Sequence, residues 1–262
     1  MVSKQALSGL RILIVNDDSI HSHGIKALER IANSITPDVW VVAPEVGQSG
    51  KSFSITFDSI LRINEISPRK FSTSGTPADC VFVALKQILI DKKPDLILSG
   101  INHGANVADF ISVSGTVGAA LAAASQGIKS IAVSQHFTKE SPIKFPLADH
   151  FLPSIIRKLM SINWPERVCM NVNFPEASFG EVKGIRVAKQ GQLDVTWNVY
   201  QREDPVEHRY YWIHANYEYQ NEEGTDVLLV EKENYVTITP LRYRCEFEEY
   251  LGKLEELFAS NS

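Results

Sequence analysis

The chain has 262 residues, of which 44% are hydrophobic and 22% charged, and its formal net charge is −5. That composition supports a packed core, either one large domain or a domain with an appendage, and does not read as disordered. The excess of 31 acidic over 26 basic residues argues against nonspecific binding to a nucleic-acid duplex, which needs a basic surface.

Three cysteines, Cys80, Cys169 and Cys245, are widely spaced, and no pair has metal-ligand spacing. Cys80 and Cys169 sit in apolar runs and read as core residues. The odd count fits a reducing compartment. The first nine residues carry no signal-peptide hydrophobic region, and no apolar run reaches membrane-spanning length. These features predict a soluble, cytoplasmic protein with no membrane partner.

Arg11 to Val15 reads as a strand whose apolar core, Ile12 to Val15, is unbroken, as in a parallel sheet covered on both faces. It ends in Asn16, Asp17 and Asp18. In open α/β sheets, ligands bind beyond the carboxyl ends of the strands. Adjacent carboxylates there repel each other unless a cation sits between them, and a divalent metal takes carboxylate oxygens. A helix N-cap followed by a first-turn acid accounts for the same stretch equally well. Next, His21-Ser-His-Gly24 precedes Ile25, Leu28, Ile31 and Ala32, one apolar helical face. Val39 to Ala43 is a second strand, so the chain opens with a parallel, right-handed βαβ unit.

Glu45 to Ser54 is a polar loop with Ser49 between Gly47 and Gly50. On pattern alone it is an ordinary turn, although its serine hydroxyl lies on the same sheet edge as the acidic pair. Ile55 to Ser74 alternates weakly and predicts one or two short strands, or a hairpin. Thr76 then caps a helix with Pro77 at its first position and Asp79 in its first turn. Val81, Leu85, Ile88 and Leu89 form its apolar face. Asp95 to Ser99 is a strand that runs into the loop Gly100 to Asn106. Ser114-Gly-Thr116 opens an alanine-rich helix ending at Gly127. A strand (Ile128 to Ser134), a helix (Pro146 to Ile162) and a strand (Val168 to Phe174) follow.

The pattern then changes. Gly184 to Lys189, Arg209 to His214, Asp226 to Val230 and Tyr235 to Thr239 read as strands without intervening helices, in the antiparallel style. Glu246 to Phe258 reads as a terminal helix. The fold class expected is α/β: a Rossmann-like, doubly wound, mostly parallel sheet with a C-terminal antiparallel hairpin region and a terminal helix. The catalytic core is placed at residues 1–183 and the extension at 184–262.

In such a sheet three loops meet at one edge. Asp17, Asp18, Ser49 and Asn102 then form an all-oxygen set that suits one divalent ion, magnesium or manganese, with room for water and substrate. No His or Cys cluster supports zinc. Beside them Ser114, Gly115 and Thr116 begin a helix. Exposed backbone N–H groups there favour an anion, and Gly115 permits close approach; a plain serine cap is the simpler alternative. A metal next to an anion site suits phosphoryl transfer, where catalysis is largely positioning and charge stabilisation.

Six motifs occur in order: Ile-Leu-Ile-Val-Asn-Asp-Asp (12–18), Ala-Pro-Glu-Val-Gly-Gln-Ser-Gly-Lys-Ser-Phe-Ser-Ile-Thr (43–56), Gly-Thr-Pro-Ala-Asp-Cys-Val (75–81), Ser-Gly-Ile-Asn-His-Gly-Ala-Asn (99–106), Ser-Gly-Thr-Val-Gly-Ala-Ala (114–120) and Tyr-Val-Thr-Ile-Thr-Pro-Leu (235–241). As an ordered set they resemble the SurE, or stationary-phase survival, family of metal-dependent 5′/3′-nucleotidases. The resemblance implies that Asp17, Asp18, Ser49 and Asn102 hold the metal and that Asn106, Ser114, Gly115 and Thr116 hold the phosphate. Asp17, Asp18 and Asn106 are then the catalytic residues.

The implied reaction removes phosphate from nucleoside monophosphates by attack of a metal-activated water. The implied assembly is a homodimer or homotetramer built through the C-terminal extension. The competing reading is a non-catalytic nucleotide- or phosphate-binding protein, or a receiver-like signalling domain. No general acid is evident; His21, His23 and His103 lie nearby in the chain. Three positions depart from the family pattern: Ser19 where glycine is usual, Val113 where tyrosine is frequent, and Ala122 where a glutamate often stands.

Overall fold

The unbroken apolar run of the first strand has a direct structural cause. In the computed structural model, which describes residues 7–137, 144–219, 222–244 and 248–259, β1 (Arg11–Val15) is an interior strand of a sheet covered on both faces. Ile12 and Ile14 point into one apolar cluster and Leu13 and Val15 into the other. Alternating Cβ directions produce this division, so neither face tolerates a polar residue.

The chain continues through α1 (His23–Asn33), β2 (Asp38–Pro44), β3 (Ile63–Ser67), β4 (Lys70–Thr73), α2 (Pro77–Val83) and β5 (Leu96–His103). Next come α3 (Gly115–Ser125), β6 (Ser130–Gln135), α4 (Pro146–Met160) and β7 (Val168–Phe174). The last third holds β8 (Gly184–Val187), β9 (Leu193–Glu203), β10 (Arg209–Tyr219), α5 (Asp226–Glu231), β11 (Tyr235–Arg242) and α6 (Glu248–Ala259).

The main sheet has nine strands in the order β3-β4-β2-β1-β5-β6-β7-β11-β8. β1 pairs in parallel with both β2 and β5, while β11 runs antiparallel to β7. From β1 the chain winds outward to β2 and β4, then returns to β5 on β1's other side and winds the opposite way. The topological switch point therefore lies between β1 and β5, where open α/β sheets place their ligands. β9 and β10 form a separate antiparallel ribbon.

α1 is capped by Ser22, whose hydroxyl accepts the Ile25 N–H, and buries Ile25, Leu28 and Ile31 against one face of the sheet. α2 opens with a capping box: the Thr76 side chain accepts from Asp79 N–H, and the Asp79 carboxylate accepts from Thr76 N–H. Buried Cys80, on α2, and Cys169, on β7, serve as core residues, and burial pushes both thiols up. Among the described residues, no helix is long and apolar enough to cross a membrane.

Four readings of the sequence need correction. The stretch Asp226 to Val230, expected as a strand, is the helix α5. Its apolar run resembles a strand, but the Asp226 carboxylate gathers the N–H groups of Val227, Gly191 and Ala108, and this tertiary anchor starts a helical turn. The eleven-residue strand β9 was not foreseen in its mostly exposed sequence. β5 does not stop at Ser99 but runs on to His103 through a register shift between Gly100 and Asn102. β8 ends at Val187, short of Lys189. Cys245 and the first two residues of the expected terminal helix lie outside the described residues.

Candidate active site

Asn16, Asp17 and Asp18 follow directly on β1, at the switch point. The Asn16 amide donates to the Ser19 carbonyl and to the Ser22 hydroxyl, which ties the turn to the start of α1. Ser19 stands at φ +94°, in the left-handed region that favours glycine. The residue that departs from the family pattern thus occupies a backbone conformation in which its Cβ is strained.

Asp17 is 4% exposed. Its carboxylate accepts a hydrogen bond from the Thr116 hydroxyl on α3. Burial, assisted by the neighbouring charge of Asp18, pushes its carboxyl up to about 6, while the Thr116 hydrogen bond opposes the shift. Asp18 is less buried and is also raised by burial, against the pull of the His103 N–H, which donates to it at 3.3 Å.

The bulge in β5 re-aims the chain beside this pair, a known use of bulges near sites. Asn102 donates its side-chain N–H to the Gly104 carbonyl at 2.8 Å, which leaves its carbonyl oxygen as the end that can face a cation. Gly24 makes the approach of α1 to this segment possible. A Cβ there would lie 1.9 Å from the Ile101 carbonyl oxygen.

The Ser49 loop is fastened on either side of the serine. Gln48 N–H donates to the Asp17 carbonyl at 2.7 Å, and the Ser52 hydroxyl donates to the Ser112 carbonyl at 2.7 Å. Gly118 lets α3 press onto the same loop, because a Cβ there would sit 2.0 Å from the Ser52 carbonyl oxygen. The loop is therefore held between β1 and α3 rather than left as a free turn.

Asn106 is buried and fully scaffolded. Its side-chain N–H donates to the Ser134 hydroxyl, and its backbone N–H donates to the Asn173 side chain. Its carbonyl accepts from both Asn171 and Asn173. These three supports on β6 and β7 were missed in the sequence. Their signal was present as buried polar residues interrupting apolar strands near their carboxyl ends. Ser114 is the N-cap of α3 and accepts the Val117 N–H at 3.1 Å, so its hydroxyl proton is free to donate.

Asp17, Asp18, Ser49, Asn102, Asn106 and Ser114 all line one cavity of about 370 Å³. Gly115 and Thr116 are buried behind it: a Cβ on Gly115 would lie 2.8 Å from the Asp17 Cβ, and Thr116 reaches Asp17 itself. Thr116 therefore contacts a carboxylate rather than open space. Of the histidines near the site in the chain, His103 lines the cavity and stacks on Phe137, with ring centroids 4.6 Å apart. Val113 lines it too and is 37% exposed. Ala122 is buried in the apolar layer between α2 and α3.

Among the described residues, the cavity wall contains three carboxylates, Asp17, Asp18 and Glu231, and neither lysine nor arginine. Such a wall repels a phosphate dianion unless a cation intervenes. The donors fit a hard divalent ion, which takes carboxylate, hydroxyl and amide oxygens together and keeps positions for water. Among the described residues there is no group of three or more His, Cys, Asp and Glu suited to a metal, which is consistent with a set that mixes two carboxylates with neutral oxygens.

The family profile described as "Survival protein SurE" matches residues 12–196. The chain is 43% identical over 244 residues to a protein of Parvibaculum lavamentivorans named 5′-nucleotidase SurE, covering 92% of this chain and 88% of that one. It is 40% identical over 252 residues to the protein of the same name from Paramagnetospirillum magneticum, covering 96% of each. Its fold superposes on the crystal structure of the SurE protein from Aquifex aeolicus with a TM-score of 0.80 at 37% identity, covering 94% of this chain and 99% of that one. The chain belongs to the SurE family.

Proposed function

We propose that the chain is a divalent-metal-dependent 5′-nucleotidase that hydrolyses nucleoside monophosphates to nucleoside and phosphate. The observation that carries this reading is the meeting of Asp17, Asp18, Ser49 and Asn102 with Asn106 and Ser114 around one cavity. The relatives named as 5′-nucleotidases supply the reaction class.

In this reading Asp17, Asp18, Ser49 and the Asn102 carbonyl hold the ion. When bound, it supplies Lewis-acid polarisation of the phosphate and an activated water. The chain's own residues do the rest. The Asn106 amide has a second N–H beyond the one given to Ser134, and the Ser114 hydroxyl has its proton free. Both donate to equatorial phosphate oxygens, and the N-terminus of α3 adds its dipole to the charge developing there. Thr116 keeps the Asp17 carboxylate oriented, a supporting contact of the kind on which ligand geometry depends. Asp17, Asp18 and Asn106 are the residues on which turnover depends most.

We further propose that residues 184–262 serve assembly of a homodimer or homotetramer. The ribbon β9–β10 carries Trp197, Tyr211, Trp212 and Ile213, each more than half exposed, and α6 exposes Leu257 and Phe258.

The test is a panel of nucleoside monophosphates and p-nitrophenyl phosphate with purified protein, in manganese, magnesium or chelator. Turnover of nucleotides that is present with metal and lost with chelator is expected. Turnover unaffected by chelator, or full activity in Asp18→Asn, would overturn the reading. Light scattering on the same sample checks the assembly, and a monomer at micromolar concentration refutes it.

A further inference from the structure

Besides the acidic pair, the cavity wall includes His136 just after β6, Tyr217 on β10 and Glu231 at the end of α5. The Glu231 side chain is 11% exposed and that of His136 is 22% exposed, and the His136 Nδ1 lies 3.8 Å from the Glu231 Oε1. That distance is an ion-pair distance and too long for a hydrogen bond. Among the described residues, no donor reaches the Glu231 carboxylate. A largely buried carboxylate normally has its acceptor positions filled. With no donor on it among the described residues, the Glu231 carboxylate lines the cavity as an acceptor.

A carboxylate accepts and does not donate, so its complement is a neutral group rich in O–H or N–H donors, and a second anionic group is repelled. In nucleotide sites of α/β sheets, an acidic side chain commonly accepts from the ribose hydroxyls. The same wall includes the stacked rings of His103 and Phe137, a surface on which a base can lie.

We propose that Glu231 is a specificity-determining residue that accepts hydrogen bonds from the sugar hydroxyls of the bound nucleotide, with His136 positioning its carboxylate. This rests on the nucleotidase reading above. The support beneath Glu231 is rigid. α5 is anchored by Asp226, whose carboxylate accepts from Val227, Gly191 and Ala108. Truncating Glu231 therefore removes the acceptor without removing the helix.

The experiment compares kcat/KM for adenosine 5′-monophosphate, 2′-deoxyadenosine 5′-monophosphate and p-nitrophenyl phosphate in the wild type, Glu231→Gln and Glu231→Ala. The wild type is expected to favour the ribonucleotide over the deoxynucleotide. In Glu231→Ala the ribonucleotide value falls about tenfold, the size of a lost hydrogen bond to a charged group. The deoxynucleotide falls less, and p-nitrophenyl phosphate stays within about twofold by the same reasoning. Glu231→Gln keeps the shape and loses the charge, so it gives an intermediate preference. A parallel fall for all three substrates, or an unchanged preference in both variants, would overturn the subsite while leaving the nucleotidase reading intact. Wild-type protein that hydrolyses p-nitrophenyl phosphate but no nucleotide would overturn that reading and the subsite with it.

Discussion

The Thr116 hydroxyl donates to the Asp17 carboxylate across 99 residues of sequence, joining the first turn of α3 to the end of β1. Sequence motifs place Thr116 among the phosphate contacts, whereas its side chain is already committed to a proposed metal ligand. On the reading proposed above, its hydroxyl serves to position the Asp17 carboxylate. Thr116→Val keeps the volume and removes the donor. The expected outcome is a loss of roughly 10- to 100-fold in metal affinity, the usual cost of removing such a support, with a matching fall in kcat/KM at limiting manganese. Thr116→Ser should retain most of both. Calorimetric manganese titration checks this, and a KM effect without any change in metal affinity would return Thr116 to the phosphate.

Asp17 makes stability depend on pH in a direction opposite to that of most carboxylates. Its carboxyl is raised from 3.8 to about 6, chiefly by burial. A group raised in the folded state contributes stability that is fully present below its unfolded value and is lost as pH rises through the folded value. In ion-free protein this single group therefore gives up stability on the order of 3 kcal/mol between pH 3.8 and about 6. A divalent cation needs the deprotonated form, so stabilisation by manganese grows across the same window. Thermal midpoints with manganese and with chelator, in the wild type and Asp17→Asn, test it. A manganese effect that is flat from about pH 4.5 to 7.5 would count against the assignment.

Ser19 at φ +94° predicts a stabilising substitution. Left-handed backbone costs a non-glycine residue roughly 1–2 kcal/mol, and glycine gives back roughly 0.5–1 kcal/mol through unfolded-state entropy. Ser19→Gly should therefore gain about 0.5–1 kcal/mol. For a chain of this size that raises the thermal midpoint by about 1–4 °C. Activity should stay near that of the wild type, since the serine hydroxyl makes only a long contact with the His21 N–H, at 3.4 Å.

The parts legible in the sequence are those written in local pattern. The unbroken run Ile12 to Val15 reports two covered faces, and Thr76-Pro77-x-Asp79 reports a capped helix that forms as read. The loops carrying Asp17 and Ser49 beyond their strands follow from parallel topology alone, whereas Asn102 lies within the bulged end of β5. What escaped depends on partners remote in the chain. α5 is a helix because the Asp226 carboxylate finds Gly191 and Ala108, neither of which is visible from its own apolar run. Asn106 is held by Ser134, Asn171 and Asn173, whose meaning appears only once β6 and β7 lie side by side. Glu231 and Tyr217 come from the extension, where strand patterning was weakest.

The switch point between β1 and β5 also has a mechanical side. These neighbouring strands are far apart in the chain, and Asp95 accepts the Arg11 N–H across 84 residues. An ion shared by Asp17, Asp18 and Asn102 would act as a reversible clasp over that seam, closing a long loop much as a crosslink does. Its grip would register in backbone amides that never touch it. Hydrogen exchange at Ile12 to Val15 and at Leu96 to Ser99 should slow together when manganese is added, while the edge strand β8, at the far end of the sheet, exchanges as before.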